Sequence, residues 1–367
     1  MNDQDTSQLN RKLRIGNRAI QATAAFDSYW RFAHERQALF LRRVAGESPP
    51  WTTDPIIAAH RFTNVYRASD RVSQYLIRNV IYSGEQTAEE IFFRTMLFKL
   101  FNRIETWERL KTALGELTWK TYDFKQYNLQ LDKLFSSGQT VYSGAYIMPS
   151  PSFGNHRKHS NHLRLIEYMM HDGAPQKVTD AKSLEGIFKL LRNYPSLGDF
   201  LAFQFTIDLN YSPMTDLNLS EMDFVVAGPG ARDGIKKCFG DIGGLSEQDV
   251  IKFVADIADS EFCRLGLDFQ SLWGRSPQLI DYQNVFCELS KYARVAHPEI
   301  EGTSGRTRIK QKYKLTSQEI PQWYPPKWGL NGLIGSGTKA HTQSKIDFMQ
   351  PSHQSFSHGC PAPTQSR

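Results

Sequence analysis

The sequence predicts an all-α protein, and three observations lead to that fold class. Apolar residues recur at spacings of three and four along most of the chain, as on one face of an α-helix. Strands do not alternate with these helices, which argues against a doubly wound nucleotide-binding sheet. Only residues 138–148, SGQTVYSGAYI, have a strand-like composition. With 367 residues, of which 40% are hydrophobic and 12% aromatic, the chain is long enough to bury a large helical core.

The predicted elements follow one another from a flexible N-terminus, residues 1–20, which is polar and basic. A helical domain is predicted over 21–325, with its first helix at 26–44. A second long helix is predicted over 53–82, with Thr53 as its N-cap and Pro55 in its first turn. The further predicted helices cover 87–113, 122–135, 157–171, 183–193, 197–210, 232–239, 247–263 and 281–294. Residues 326–367 are rich in Gly, Pro, Ser and Gln, which predicts a disordered tail.

The charge balance favours an anionic partner. Lys and Arg number 44 against 38 Asp and Glu, which gives a formal net charge of +6. The four cysteines have no C-x-x-C or zinc-finger spacing, so reduced thiols and no structural zinc or iron–sulfur cluster are expected. No organic cofactor is expected either. The N-terminus lacks a signal-peptide core, and no run of about 18 apolar residues exists. A cytoplasmic, monomeric protein with no membrane contact is expected.

A glycine turn lies in VVAGPGARDGIKKCF, residues 225–239. It follows the helix 197–210, which is apolar nearly all round and is therefore expected to be buried. Two helices around a turn with Gly228 and Gly230 predict a hairpin whose backbone N–H groups hold a DNA phosphate. Positive charge for the same contact would come from Arg232, Lys236 and Lys237. The alternative interpretation is an ordinary corner between two helices.

Two polar patterns are candidates for a base pocket and a catalytic group. In HRFTNVYRASDR, the residues Arg61, Asn64, Arg67 and Arg71 form one helical stripe, either contacting a nucleotide or forming a structural network with Asp70. Asp281 opens the last predicted helix, either as an N-cap or as the carboxylate of a site. Asn284, Glu288 and Lys291 continue its face.

Two further motifs have plainer interpretations than a metal site or a nucleotide site. His156, His159 and His162 recur every three residues, and a solvated or phosphate-facing basic face is favoured over a metal site because basic residues are interleaved. GLIGSGTK, residues 332–339, nearly matches a phosphate-binding loop, but its last two residues are Thr-Lys. No strand precedes it and no helix is predicted after it, so a nucleotide-binding role is not favoured.

Together these stretches resemble the helix–hairpin–helix superfamily of DNA glycosylases. Within it they are similar to the α-glutamyl/putrescinyl-thymine pyrophosphorylases, or amino acid:DNA transferases, to the helical domains of hydroxymethyluracil DNA kinases, and to a related anti-phage glycosylase. The resemblance is carried by WRFAHERQ, PWTTDPIIAAHRFTNVYRASDR, FLAFQFTIDLNYS, AGPGARDGIKKCF and DYQNVFCELSKY. It gives Gly228 and Gly230 the hairpin's glycine places and Asp281 the place of the pocket aspartate. Residues 241–275 would be an insertion with an extra helix; otherwise Asp249 or Asp256 becomes the candidate.

The resemblance implies a monofunctional DNA glycosylase, a hydrolase of anti-phage defence. It would excise a bulky modified pyrimidine, such as glucosylated hydroxymethylcytosine, from double-stranded phage DNA and leave abasic sites. Asp281 would stabilise the sugar cation, and Arg61, Asn64, Arg67 and Asn284 would line the base pocket. Arg232 stands where strand-cutting enzymes have a lysine, and it cannot form a Schiff base.

Two alternatives stay open. One is a transferase that attaches an amino acid or polyamine to thymine in phage DNA, with Asp281 or Glu288 deprotonating the incoming amine. The other is a non-catalytic DNA-binding module. The sequence does not distinguish a host gene from a phage gene.

Overall fold

The computed structural model describes residues 11–215, 219–314 and 321–335, and it confirms the all-α fold class. The helices of the described residues are α1 Ala24–Val44, α2 Pro55–Ala59, α3 Arg71–Tyr75, α4 Ala88–Phe101, α5 Ile104–Leu114, α6 Phe124–Ser136, α7 Lys158–His171, α8 Ala174–Thr179, α9 Leu184–Arg192, α10 Asp199–Asn210, α11 Pro229–Phe239, α12 Glu247–Asp256, α13 Ala258–Arg264 and α14 Leu279–Ala296. None of the helices in this part of the chain combines the length and apolar character that crossing a bilayer requires.

Residues 11–20 of the predicted flexible N-terminus are described, and most of them form regular structure. Strands β1 (Lys12–Ile15) and β2 (Arg18–Gln21) form an antiparallel hairpin around Gly16, whose φ is 57°. Leu13 and Ile20 face each other in the register, and both are buried in the core. Two apolar side chains on one face are enough to dock this short hairpin.

The predicted helix over 53–82 is wrong as a single element. It begins at Pro55 with Asp54, not Thr53, as the N-cap, since the Asp54 carboxylate accepts from the N–H groups of Ile56 and Ile57. The helix ends at Ala59, and residues 61–65 have no regular structure. A 3₁₀ turn (Arg67–Ser69), α3 and a π-helix (Leu76–Ile81) complete the stretch. The predicted stripe of arginines is therefore not on one helix: Arg61 and Arg71 are exposed, and Arg67 is buried.

The glycine turn leads into α11, which packs on α14 more closely than an alanine would allow. A Cβ on Gly230 would lie 2.3 Å from the Cys287 sulfur, and one on Gly234 would lie 2.0 Å from the Phe286 carbonyl oxygen. These two glycines, one helical turn apart, therefore let the helices approach each other. The predicted insertion, 241–275, holds two helices, α12 and α13, rather than one.

The helix α10 is buried along most of its length, as predicted. It packs against α4 and α9, but it is not wholly apolar, because Gln204, Thr206, Asp208 and Asn210 are buried with it. The strand-like stretch 138–148 contains no strand. Of the predicted disordered tail, residues 326–335 are described: they form a 3₁₀ turn (Pro326–Trp328) and bury Leu330, while 336–367 lie outside the described residues.

Candidate functional site

The polar face of α14, formed by Asp281, Asn284 and Glu288 and called here the α14 face, binds the backbone of residues 63–67. Asp281 accepts from the N–H of Arg67 at 2.9 Å, and Glu288 accepts from the N–H of Thr63 at 3.0 Å. The Asn284 amide donates to the Asn64 carbonyl at 2.7 Å. The predicted residues are thus brought together. The segment lies directly on the helix, and its backbone groups, not a ligand, are the partners of these three side chains.

Asp281 has no free oxygen in this arrangement. Its second oxygen accepts from the N–H of Gln278 at 2.9 Å, which closes the first turn of α14. Burial raises the pKa of Asp281 to about 6, against the opposing effect of the two N–H donors. Glu288 also pairs with Lys291 at 2.5 Å. Both predicted catalytic carboxylates are therefore held by structural partners.

Arg67 connects the α14 face to α10. While its backbone N–H binds Asp281, its guanidinium donates to Gln204 at 2.9 Å, to Asp208 at 2.8 Å and to the Tyr211 hydroxyl at 3.0 Å. Burial acts to lower the pKa of Arg67, but Asp208 and Tyr211 outweigh it and raise that pKa further above its ordinary value. Arg67 is therefore a permanently charged, fixed donor.

A second buried cation meets the same carboxylate. The Lys99 ammonium of α4 lies 3.0 Å from the other oxygen of Asp208 and donates to Asn102 at 2.8 Å. Asp208 is fully buried, and Lys99 is 3% exposed. Arg67, Lys99, Gln204 and Asp208, called here the α10 cluster, thus place two cations and one carboxylate in the interior. Groups of this kind are stable inside a protein only when they are paired.

Tyr146 covers the α10 cluster from the solvent side. Its ring lies 5.0 Å from the Lys99 ammonium, and its hydroxyl donates to Gln204 at 3.4 Å. The ring also packs edge-on against Phe200, with 5.5 Å between the centroids. Phe200 in turn lies against Gly228, where a Cβ would come within 2.7 Å of its ring. The predicted hairpin glycine therefore borders this cluster.

The loop that carries Tyr146 is held at both ends by His162. Burial lowers the pKa of His162 to about 4, so the imidazole is neutral at pH 7. Its Nε2–H donates to the Pro149 carbonyl at 2.9 Å, and its Nδ1 accepts from the Tyr142 hydroxyl at 2.7 Å. Between these anchors the tip projects into solvent, and Ile147 is 90% exposed. The tip is thus a short exposed segment on a fixed base.

The comparisons with known proteins agree with the narrower resemblance. The model of the 5-hmdU DNA kinase helical domain matches residues 23–302, most of the chain. This chain belongs to that family. It is also 28% identical over 322 residues to a 5-hmdU DNA kinase of Bacillus phage SP10, which covers 82% of this chain. The chain spans about half the length of that relative. No solved structure matches it.

Membership of the 5-hmdU DNA kinase helical-domain family corrects the predicted reaction. A kinase transfers a phosphoryl group, whereas a glycosylase hydrolyses a glycosidic bond. The predictions of a monofunctional glycosylase, of a hydrolase and of abasic-site formation are therefore wrong, and the defence role loses its support. The role of Asp281 in stabilising a sugar cation falls with them.

The remaining predicted DNA-binding residues of this 5-hmdU DNA kinase-like domain lie on different sides of α11. Arg232 and Lys236 are exposed, and Arg232 lies 3.7 Å from Glu247. Lys237 is buried, and burial lowers the pKa of its ammonium group despite the nearby Asp233 carboxylate. Gly230 faces Cys287 in the helix interface. The predicted phosphate contact of these residues stays a prediction.

The histidines are not the solvated basic face that the interleaved charges indicated. His159 and His162 are buried, His159 next to Asp132 at 2.9 Å, and only His156 is exposed. Among the described residues, no group of His, Cys, Asp or Glu side chains is arranged to hold a metal ion. His162 is instead the anchor of the Tyr146 loop.

Sequence reasoning missed Lys99, Gln204, Asp208 and Tyr146. A signal was present, because Gln204 and Asp208 are four residues apart in an otherwise apolar helix and therefore share one face. Lys99 stands in a similarly apolar run, FRTMLFKLF. Since buried charges occur in pairs, an apolar helix with a lysine and another with an aspartate predict a contact between them.

Proposed function

We propose that this chain binds DNA containing 5-hydroxymethyluracil and holds the modified base for phosphorylation, as the helical part of a 5-hmdU DNA kinase. The family match over residues 23–302 supports the substrate class. The described residues contain no unit of strand, glycine-rich loop and helix for a nucleotide phosphate, and part of the near-match at 332–339 lies outside them. We therefore assign base binding, rather than binding of the phosphoryl donor, to the described residues.

The observation that carries the proposal is the position of the Tyr146 ring. A phenol ring and a pyrimidine are planar and similar in width, and the Tyr146 ring packs against Phe200 and lies 5.0 Å from the Lys99 ammonium. A base extruded from the DNA would take this place when the loop tip moves aside. Its 5-hydroxymethyl oxygen would accept a hydrogen bond from Lys99, which has three N–H groups.

Basic side chains next to the loop supply contacts for the DNA backbone. Arg157 is exposed and Lys158 half-buried at the start of α7, the helix that contributes His162. Lys158 lies 4.2 Å from the Tyr142 ring, and Arg157 lies 4.5 Å from the Phe135 ring. Sites for single-stranded nucleic acid combine positively charged side chains, which follow the backbone, with aromatic rings, which stack on the bases. Phosphate contacts here would hold the strand without reading its sequence.

The test is binding of single-stranded oligonucleotides that differ in one base, measured by fluorescence anisotropy. We expect the 5-hydroxymethyluracil strand to bind about tenfold or more tightly than the thymine strand, the value of one hydrogen bond to a charged donor. Replacing Arg157 and Lys158 with Gln should weaken both strands equally and reduce the salt dependence. Equal affinity for the two strands would contradict the proposal. If the chain alone transferred labelled phosphate from ATP to the DNA, the assignment of base binding without donor binding would be wrong.

A further inference from the structure

Residues 306–314, called here the basic segment, carry a positive charge at every second position. The side chains concerned are all exposed: Arg306, Arg308, Lys310, Lys312 and Lys314. Within the described part of the chain, none of them is in an ion pair, and residues 302–314 contain no Asp or Glu. The family match ends at residue 302, so it does not include the basic segment.

The C-terminal half of the basic segment is held in an extended conformation by the chain that follows α2. The N–H of Tyr313 donates to the Ala59 carbonyl at 3.1 Å, and the N–H of Arg61 donates to the Gln311 carbonyl at 3.0 Å. This antiparallel pairing uses backbone groups, so the charged side chains of the segment take no part in it. Arg61 is itself exposed and adds a further cation beside the segment.

The basic segment is also anchored on its N-terminal side. Asp233 of α11 accepts from the N–H of Ser304 at 2.7 Å, and a Cβ on Gly302 would lie 2.2 Å from the same carboxylate oxygen. Between this anchor and the pairing with α2, Ile309 is buried in the core. A segment fixed in this way presents its cations to a ligand without the entropy cost of ordering a loose chain.

We infer that the basic segment binds the phosphate backbone of one DNA strand, an inference that rests on the proposed function for the nature of the partner. Successive side chains of an extended chain point to opposite sides, so Lys310, Lys312 and Lys314 share the side opposite Ile309, with about 6.6 Å from one to the next. Successive phosphate groups of one strand are separated by a similar distance. Neighbouring lysines therefore meet neighbouring phosphates, and they hold the strand without reading its bases.

The experiment measures binding of fluorescent single strands by anisotropy at several salt concentrations. One variant replaces Lys310, Lys312 and Lys314 with Gln. The control variant loses the same charge through Gln at three exposed lysines of α8, α9 and the turn between them, Lys177, Lys182 and Lys189. Far-ultraviolet circular dichroism verifies that each variant is folded.

The size of the effect follows from the number of phosphate contacts. Each contact contributes about 0.7 to the slope of log K against log salt for a single strand, so the variant of the basic segment should lose about 2 in slope. Its affinity at about 0.1 M salt should fall about 10- to 100-fold. The control variant should resemble the wild type. Lys312→Gln alone should lower the slope by about 0.7, which decides the matter if the triple variant does not fold.

The outcomes separate this inference from the proposed function. An equal loss of affinity for the 5-hydroxymethyluracil and thymine strands, with their ratio preserved, supports both. The same slope in the two triple variants would overturn the inference and leave the preference for the modified base standing. If the wild type binds both strands equally and the variant of the basic segment binds both more weakly, the proposed function fails and the segment still binds DNA. If the wild type bound poly-glutamate as tightly as a DNA strand, the segment would fit any acidic chain and the inference would also be overturned.

Discussion

Two helices of this domain carry short rows of buried polar side chains, and the rows differ in what they bind. The α14 face binds backbone groups of residues 63–67, and both oxygens of Asp281 accept from N–H groups. The α10 cluster binds side chains from several segments and lies beneath a half-buried ring. A carboxylate saturated by backbone N–H groups fixes the course of the chain. A cluster of charged side chains beneath a short, exposed loop has the capacity to bind a ligand.

The largest expected effect is the loss of stability when the carboxylate of the α10 cluster is removed. Asp208→Asn leaves the Arg67 and Lys99 cations buried without a counter-charge. Removing one partner from a buried ion pair costs about 3–5 kcal/mol. We therefore expect the free energy of unfolding, measured by urea denaturation, to fall by about that amount.

The control for this substitution is an ion pair that stays in water. Glu185 and Lys189 lie 2.8 Å apart on the exposed surface of α9. Exposed pairs of this kind contribute between 0 and about 1 kcal/mol, so Glu185→Gln should change the unfolding curve little. Equal effects of the two substitutions would show that the α10 cluster is not the buried network described above.

The next effect is on the α14 face. Asp281→Asn replaces one acceptor with an NH₂ group, which then opposes the N–H of either Arg67 or Gln278. One unsatisfied buried donor costs about 1–3 kcal/mol. We expect lower stability at pH 7, with the preference for 5-hydroxymethyluracil retained in the folded fraction. Loss of that preference in a fully folded variant would place Asp281 in the binding site.

The pH dependence of the stability of the wild type and of Asp281→Asn gives a second measurement. Burial raises the pKa of Asp281 from 3.8 to about 6, so the folded state retains a proton that the unfolded state has lost between these values. The stabilising contribution of this carboxyl is complete below pH 3.8 and is lost as the pH rises through 6. The stability of the wild type relative to Asp281→Asn should therefore fall across this window and level off above it. An increase would mean that the N–H donors dominate over burial.

The comparison also shows which parts of the site a sequence can reveal. The spacing of Asp281, Asn284 and Glu288 predicts that they share a helix face, and they do. Their partners were not predictable, because the segment 60–71 has polar residues at helical spacing and yet lacks a continuous helix. Hydrogen bonds from α14 satisfy the backbone groups of that segment, so it does not need its own helical ladder.

The α10 cluster could not be predicted from the spacing of residues in the sequence. Its members come from positions 67, 99, 204 and 208, and no local pattern joins residues so far apart in the chain. The apolar character of α10 predicted its burial correctly, but it also hid the polar residues within it, as the apolar residues of α4 hid Lys99. The two-stranded hairpin was missed because β1 and β2 bury only a few apolar side chains.

Tyr146→Ala should cause the smallest change in stability. It also tests directly whether the α10 cluster, unlike the α14 face, belongs to a binding site. The ring is half-buried, and its hydrogen bond to Gln204 is long at 3.4 Å, so we expect a loss of about 1 kcal/mol. In the proposed site the Tyr146 ring competes with the base, so only the fraction of molecules in which the ring has moved aside can bind DNA. Without the ring, the 5-hydroxymethyluracil strand should therefore bind several-fold more tightly. Tyr168→Ala, at a ring 49% exposed on α7, is the matched control and should leave binding unchanged. Weaker binding by Tyr146→Ala would mean that the ring stacks on the base instead of giving way to it. Tyr146→Phe keeps the ring and removes only the hydroxyl, so it should bind like the wild type if the effect of Tyr146→Ala comes from the ring and not from the hydrogen bond to Gln204.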